Sequence, residues 1–198
     1  MGREFELKYQ ADPRILAAIR EQYGVFFEIC METSYFDTPD RDLHRRRWTL
    51  RRRMENGVCV CTVKTLLPDG SRGEWETKED DLLSAIPVLC KLGAPEELSR
   101  LAAAGLEQTC AAKFVRLAAG LPAGESTVEL ALDQGVLIGG GRELPFWEVE
   151  VELKSGADGD ALAFAQALAR EFHLIPQPKS KVQRAMALAD TGKENYIT

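Results

Sequence analysis

The chain opens with an alternation that few folds can absorb. Residues 4 to 8 read EFELK, which sets Glu4, Glu6 and Lys8 on one side of an extended strand and Phe5 and Leu7 on the other, because strand side chains alternate faces with period two. The arrangement returns farther along. In EWETK, Glu74, Glu76 and Lys78 share a face, and in EVEVELK, Glu148, Glu150, Glu152 and Lys154 do, with Val149, Val151 and Leu153 opposite. TLRRR sets Arg51 with Arg53, VCVCTVK sets Lys64 with Thr62, and TVELALD sets Glu129 with Asp133.

A single strand of this kind describes an ordinary antiparallel sheet with one wet face. Here the pattern recurs in strand after strand, and the charged faces carry Glu, Arg and Lys where a merely wetted face would mix in Ser, Thr, Gln and Asn. Curling such a sheet around its charged side gives a polar tunnel with the apolar sides buried under helices. Two carboxylates ~5 Å apart repel by about 3 kcal/mol at an effective dielectric of ~20, so an enclosed acidic wall needs a cation. Ligands that are all carboxylates, with no convergent His or Cys, suit a hard divalent ion such as Mg²⁺ or Mn²⁺. The basic strands need an anion that the ion can share, and a polyphosphate meets both needs.

The rest of the chain supplies the elements of such a sheet. DPRILAAIREQYG reads as a helix with Asp12 as N-cap, Pro13 in the first turn, Ile15, Leu16 and Ile19 buried and Gly24 as the stop. Residues 25 to 36 read as a strand, Asn56-Gly57 as a hairpin turn between strands 47–54 and 58–65, and LLPDGSRG as a second hairpin leading to EWETKED. Residues 81 to 105 read as helical with Pro87 as an interruption. Segments 108–118 and 126–133 read as extended, DQG at 133–135 as a turn, FWEVEVELK as a strand, GDALAFAQALAREFHL as a helix and KSKVQRAMALAD as a last helix. The expected fold class is α+β, an antiparallel sheet or, where it curls round its charged side, a closed antiparallel β-barrel of about eight strands with helices packed on the outside.

Composition excludes several alternatives. The five cysteines lack CxxC spacing, which argues against a disulfide framework or a zinc site. With His44 and His173 as the two histidines, a Ser/His triad has little to rest on. The formal net charge is −6, so general attraction to nucleic acid or to an anionic membrane is not expected and any anion site must be local. No apolar run approaches the roughly 20 residues of a membrane span, and the charged start is not expected to be a secretory signal; a cytoplasmic location is expected.

Taken together, these residues resemble the CYTH family, the triphosphate tunnel metalloenzymes. Its ExExK signature is matched by Glu4, Glu6 and Lys8, and the other motifs follow in order: YFDTPD at 35–40, LRRR at 50–53, TVKT at 62–65, RGEWE at 72–76, VELALDQG at 128–135, EVEVELKSG at 148–156 and KSKVQRA at 179–185. The resemblance is greatest to the bacterial inorganic triphosphatases, spans nearly the whole chain, and implies a single tunnel domain over 1–190 with a flexible tail at 191–198. Such members often carry a further C-terminal helical domain, which is not expected within these residues. The resemblance implies that Lys8, Arg51, Arg53, Lys64, Arg116 and Lys181 hold a triphosphate. It also implies that Glu4, Glu6, Glu150 and Glu152 hold Mg²⁺ or Mn²⁺, and that Glu74, Glu76, Glu129 and Asp133 support the ion or the attacking water. Glu4, Glu6, Lys8 and Glu152 would carry the catalysis. Glu148 extends the acidic row, so which of Glu148, Glu150 and Glu152 bind metal is open, as is the choice between Lys113 and Arg116 and between Lys179 and Lys181. The implied reaction is hydrolysis of tripolyphosphate to pyrophosphate and phosphate. Class IV adenylate cyclase, thiamine triphosphatase and a non-catalytic polyphosphate-binding protein are the alternatives, with Tyr35, Trp48 and Trp147 as aromatics that could meet an organic group. Oligomeric state is left open.

Overall fold

A computed structural model describes residues 2, 3, 5–67 and 72–191, with side chains from residue 5 onward. Glu4, the tip of the second expected hairpin at 68–71 and the expected tail beyond residue 191 lie outside the described residues. The elements in chain order are β1 (Gly2–Arg3), β2 (Glu6–Gln10), α1 (Pro13–Tyr23), β3 (Phe27–Asp37), α2 (Asp42–Arg45), β4 (Thr49–Glu55), β5 (Val58–Leu66), β6 (Arg72–Thr77), α3 (Leu82–Lys91), α4 (Glu97–Ala103), β7 (Glu107–Ala123), β8 (Ser126–Gly139), β9 (Arg142–Ser155), α5 (Asp158–Glu171), β10 (Ile175–Pro176) and α6 (Lys181–Thr191).

Local chemistry sets several boundaries as expected. The Asp12 carboxylate accepts from the amides of Arg14 and Ile15 at the start of α1, and Gly24 ends it at φ 80°. Asn56 and Gly57 adopt φ 47° and 85°, the positive pair that a two-residue hairpin needs between β4 and β5. Helix α3 runs through Pro87. The carbonyl that Pro87 cannot bond is that of Leu83, in the first turn, where the Leu83 side chain is exposed and water can reach.

The expected turn at Asp133-Gln134-Gly135 is not one: β8 continues to Gly139. Gly135 lies directly between Phe114 on β7 and Phe146 on β9. A Cβ there would stand 2.1 Å from the Lys113 carbonyl oxygen. The glycine therefore marks a close backbone approach inside a strand, which sequence does not distinguish from a turn glycine.

The ten strands form one antiparallel sheet in the order β1-β6-β5-β4-β3-β7-β8-β9-β2-β10. Eight of them, β2 to β9, have five or more residues. The N-terminal stretch pairs with β6 through Gly2 and Arg3 and with β9 through Glu6 to Gln10. The N-terminal stretch thus pairs near both ends of the strand order, which curls the sheet round into a ring. Every strand from β2 to β9 contributes side chains to a single internal cavity of about 670 Å³.

Two apolar cores lie outside this ring. Val128, Leu130, Leu132, Val149 and Val151 pack under α1 and α5, with Leu16, Ile19, Ala161, Ala165 and Leu168. Leu50, Cys61, Val63 and Trp75 pack under α3 and α4, with Ile86, Leu89 and Leu98. A third core lies on the inner side, where Ala185 and Met186 of α6 meet Met31, Tyr35, Phe114, Leu137 and Phe146. Helix α6 thus differs from the expected outer layer. It lies against the charged face at one end of the ring, where its two cations, Lys181 and Arg184, find buried acids.

Candidate active site

Parity carries the expected charges inward. Glu6 and Lys8 face the cavity, as do Arg51, Arg53, Lys64, Glu74, Glu76, Arg116, Glu129, Glu150, Glu152, Lys154 and Lys181. Odd-numbered Leu7 and Tyr9 pack with the outer core instead. The neighbouring bases differ in position. Lys113 points outward and pairs with Glu32 at 3.4 Å in solvent, whereas Arg116 lines the cavity. Lys179 is exposed and Lys181 is buried. Of the three aromatics, Trp48 and Trp147 pack against the outer cores and Tyr35 lines the cavity.

The basic wall comes from β4 and β5. Arg51 Nη2 lies 3.6 Å from Glu74 Oε1 and Lys64 Nζ 3.2 Å from Glu74 Oε2, so the one carboxylate is shared. Arg51 Nε is buried without a hydrogen-bond partner. Arg53 donates from Nε to Thr33 Oγ1 at 3.0 Å and lies 3.4 Å from Glu55. Burial, followed by the like charge of Arg51, pushes the Arg53 guanidinium down to about 10. Burial first and the like charge of Arg51 second thus work against the charged form of Arg53, and a bound anion would favour it.

Two sets of acids stand on the other side of the ring. In the first, Asp133, Glu148 and Glu150 are buried, and their oxygens lie within 4.8 Å of one another, a spacing that could hold a metal ion. Protein cations occupy that centre. Lys181 Nζ stands 2.8 Å from Asp133, 2.7 Å from Glu148 and 2.6 Å from Glu150. Arg116 grips Asp133 through two bonds of 2.8 Å and also contacts Glu150, and Arg184 reaches both Glu148 oxygens at 2.9 Å. Burial alone would raise the Glu150 carboxyl, but Lys181 and Arg116 outweigh it and hold it well below the usual carboxylate range. Burial works against the charge of Lys181 too, and the three acids raise its pKa nonetheless.

The second set is a row in register across three strands. Glu6 on β2 is directly opposite Glu152 on β9, which is directly opposite Glu129 on β8. Directly opposed residues on one face bring their Cβ atoms to ~5 Å, so Glu152 stands within reach of Glu6 on one side and of Glu129 on the other. They are 18%, 29% and 27% exposed for Glu6, Glu152 and Glu129, and they meet the cavity and not a sealed core. The row offers only oxygen ligands, the donor set of a hard divalent ion, and its acids are paired with Lys8, Arg116 and Lys154, whereas the more tightly converging buried trio has Lys181 at its centre.

Several site residues escaped the sequence reading. Phe114 and Phe146 meet edge-to-face at 5.8 Å and form the platform under the cations. Arg53, Arg116 and Lys181 lie 5.8, 5.9 and 5.2 Å from the Phe114 ring, and Arg184 lies 5.4 Å from that of Phe146. Their signal was available, since Phe114 shares parity with Arg116 and Phe146 with Glu148. Arg184 follows Lys181 by three residues on α6, the spacing of one helix face.

Comparison with known proteins agrees with this geometry. The family model described as CYTH domain matches residues 2–186. The inorganic triphosphatase of Haemophilus influenzae is 27% identical over 205 residues, a match that covers all of this chain and 57% of the relative's length. Among solved structures, the PH1819 protein of Pyrococcus horikoshii superposes with a TM-score of 0.65 at 21% identity, covering 93% of this chain and 99% of its own. A Hippeastrum protein, named as a candidate adenylyl cyclase with a dominant triphosphatase activity, gives 0.64 at 18% identity with 96% of each chain covered.

Proposed function

Because the chain belongs to the CYTH domain family, we propose that it is a metal-dependent hydrolase of inorganic tripolyphosphate, releasing phosphate and pyrophosphate. The observation that carries this reading is the opposition of two walls across one cavity. Arg51, Arg53 and Lys64 stand on β4 and β5, and the acid row Glu6, Glu152, Glu129 stands on β2, β9 and β8. A triphosphate needs both, cations for its charge and a carboxylate-bound divalent ion for the oxygens facing the acids.

In this proposal Arg51, Arg53, Lys64, Lys8 and Arg116 neutralise and orient the phosphate chain. Glu6, Glu129 and Glu152, with Glu4 two residues before Glu6 in sequence, would hold Mg²⁺ or Mn²⁺, which would supply charge neutralisation at the phosphate oxygens and a lowered pKa for a bound water. Glu6 or Glu152 accepts the proton of the water that attacks the terminal phosphorus in line. Asp133, Glu148 and Glu150 act at one remove: with Lys181 they hold Arg116 in place above Phe114. Glu74 positions Arg51 and Lys64, and Glu76 lines the same wall. The name of the Haemophilus relative supports inorganic triphosphate as the substrate. The chain spans 57% of that relative's length, and the relative's whole activity is carried over here as part of the proposal.

The test is phosphate release from tripolyphosphate, ATP and thiamine triphosphate, measured side by side with Mg²⁺, Mn²⁺ and a chelator. Tripolyphosphate should give the highest kcat/KM, and the chelator should abolish turnover. Preference for either organic substrate, or turnover that survives chelation, would refute the assignment.

A further inference from the structure

We infer that Lys154 is a tethered counter-ion for the acid row, occupying the place of the divalent ion between Glu129 and Glu152 and leaving when the ion arrives. The inference rests on the reading of Glu129 and Glu152 as metal ligands.

Lys154 is the next residue of its parity after Glu148, Glu150 and Glu152 on β9, so its side chain enters the same cavity. Its Nζ lies 2.9 Å from Glu152 Oε2 and 3.5 Å from Glu129 Oε2, bridging the two carboxylates that the β8–β9 register brings opposite each other. Two opposed carboxylates in partial burial repel unless a cation stands between them. In the metal-free protein the Lys154 ammonium stands between them, with Arg116 Nη1 3.7 Å from the other Glu129 oxygen; a divalent ion bound to the Oε2 atoms that Lys154 bridges meets the need with twice the charge, and it and the ammonium cannot share the place.

The contrast with Lys181 supplies the rest of the argument. Both lysines bridge acids on β8 and β9. The Lys181 side chain is 8% exposed, closed in by three carboxylates and two phenyl rings, and has nowhere to go. The Lys154 side chain is 42% exposed. Its flexible four-carbon stem lets the ammonium move into water at small cost. The fold thus holds one lysine fixed and one lysine that can be exchanged, on neighbouring parts of the same acidic surface.

The experiment is calorimetric titration of Mn²⁺ into the full chain without any phosphate, comparing the wild type with Lys154→Met, Lys154→Gln, Lys154→Arg and Glu152→Gln. Both neutral variants should bind Mn²⁺ roughly fivefold more tightly than the wild type, as loss of a partly exposed competitor implies. Lys154→Arg should stay close to the wild type, and Glu152→Gln should weaken binding. In chelator the neutral variants should melt below the wild type, and saturating Mn²⁺ should close that gap. Unchanged or weaker Mn²⁺ binding in a folded neutral variant, with Glu152→Gln still weakened, would overturn the role of Lys154 and leave the metal reading standing. Wild-type affinity in Glu152→Gln, or no Mn²⁺ binding to the wild type, would overturn both.

Discussion

Lys181 and Glu150 meet at 2.6 Å, ammonium to carboxylate, with 8% and 7% of their side chains exposed. Lys181 also serves Asp133 and Glu148, whereas Glu150 has Arg116 as its other cation. The two partners are therefore unequal. Lys181→Met strips the central cation from three buried acids and should cost about 3–5 kcal/mol, the range for breaking a buried ion pair. Glu150→Gln leaves Lys181 two carboxylates and should cost less. Urea unfolding of both variants checks the order, and equal losses would contradict the central place of Lys181.

Acid should unfold the protein through the same network. The folded Glu150 carboxyl lies well below the ordinary value of 4.5, held there by Lys181 and Arg116 against the effect of burial. The unfolded chain therefore takes up the proton first as pH falls. The contribution of Glu150 is fully present above about pH 4.5 and is lost as pH drops toward the folded value. Melting temperature should be flat from neutral pH to about 5 and fall below it, and Lys181→Met, which removes the main cation holding the folded carboxyl down, should make that fall shallower from a lower starting value.

The strained cations of the basic wall predict anion binding without metal. Tripolyphosphate in chelator at low salt should raise the melting temperature, since a ligand that binds only the folded state stabilises it. Arg53→Met should lose most of that rise, and ~0.5 M NaCl should suppress it in the wild type through screening. A rise of the same size in Arg53→Met would place the anion elsewhere.

The in-register row predicts the catalytic phenotype. Glu6→Gln and Glu152→Gln should each lower kcat/KM for tripolyphosphate by about two orders of magnitude, the scale for removing one preorganised electrostatic group. Their far-UV circular dichroism should match the wild type, because neither carboxylate belongs to the buried trio. A variant within fivefold of wild-type activity would remove that residue from the mechanism.

Gly135 predicts a structural phenotype. Alanine there puts its Cβ 2.1 Å from the Lys113 carbonyl and 2.5 Å from the Phe114 Cα, both backbone atoms that cannot step aside singly. The substitution should cost about 2 kcal/mol or more, as overpacking does. It should also disturb the near-ultraviolet dichroism by shifting Phe114 and Phe146. A turn glycine would have tolerated the change more easily.

Much of the site could be read before folding. That Glu6 shares a face with Lys8, Arg51 with Arg53, Lys64 with Thr62, Glu129 with Asp133 and Glu152 with Glu150 followed from alternation alone, and the Asn56-Gly57 hairpin and the Asp12 cap from local chemistry. Gly135 could not be placed, because a glycine in a strand and one in a turn look alike until the neighbouring strand is known. Lys113 and Arg116 lie three residues apart on one strand and so on opposite faces, but which face turns inward was fixed by the register of β7 against β3 and β8.

The sequence by itself determined which charges stand together on a face, because the two-residue period of a strand is a property of the local backbone. Only the tertiary structure decided what each charge does. Glu148 is sealed against Lys181 and Arg184, Glu150 is held at the cavity wall by Lys181 and Arg116, and Glu152, two residues on, is more open to the cavity beside Glu6 and Glu129. Burial and pairing are set by strands and a helix that arrive from distant parts of the chain, and one strand carries no record of which of its acids α6 will cover.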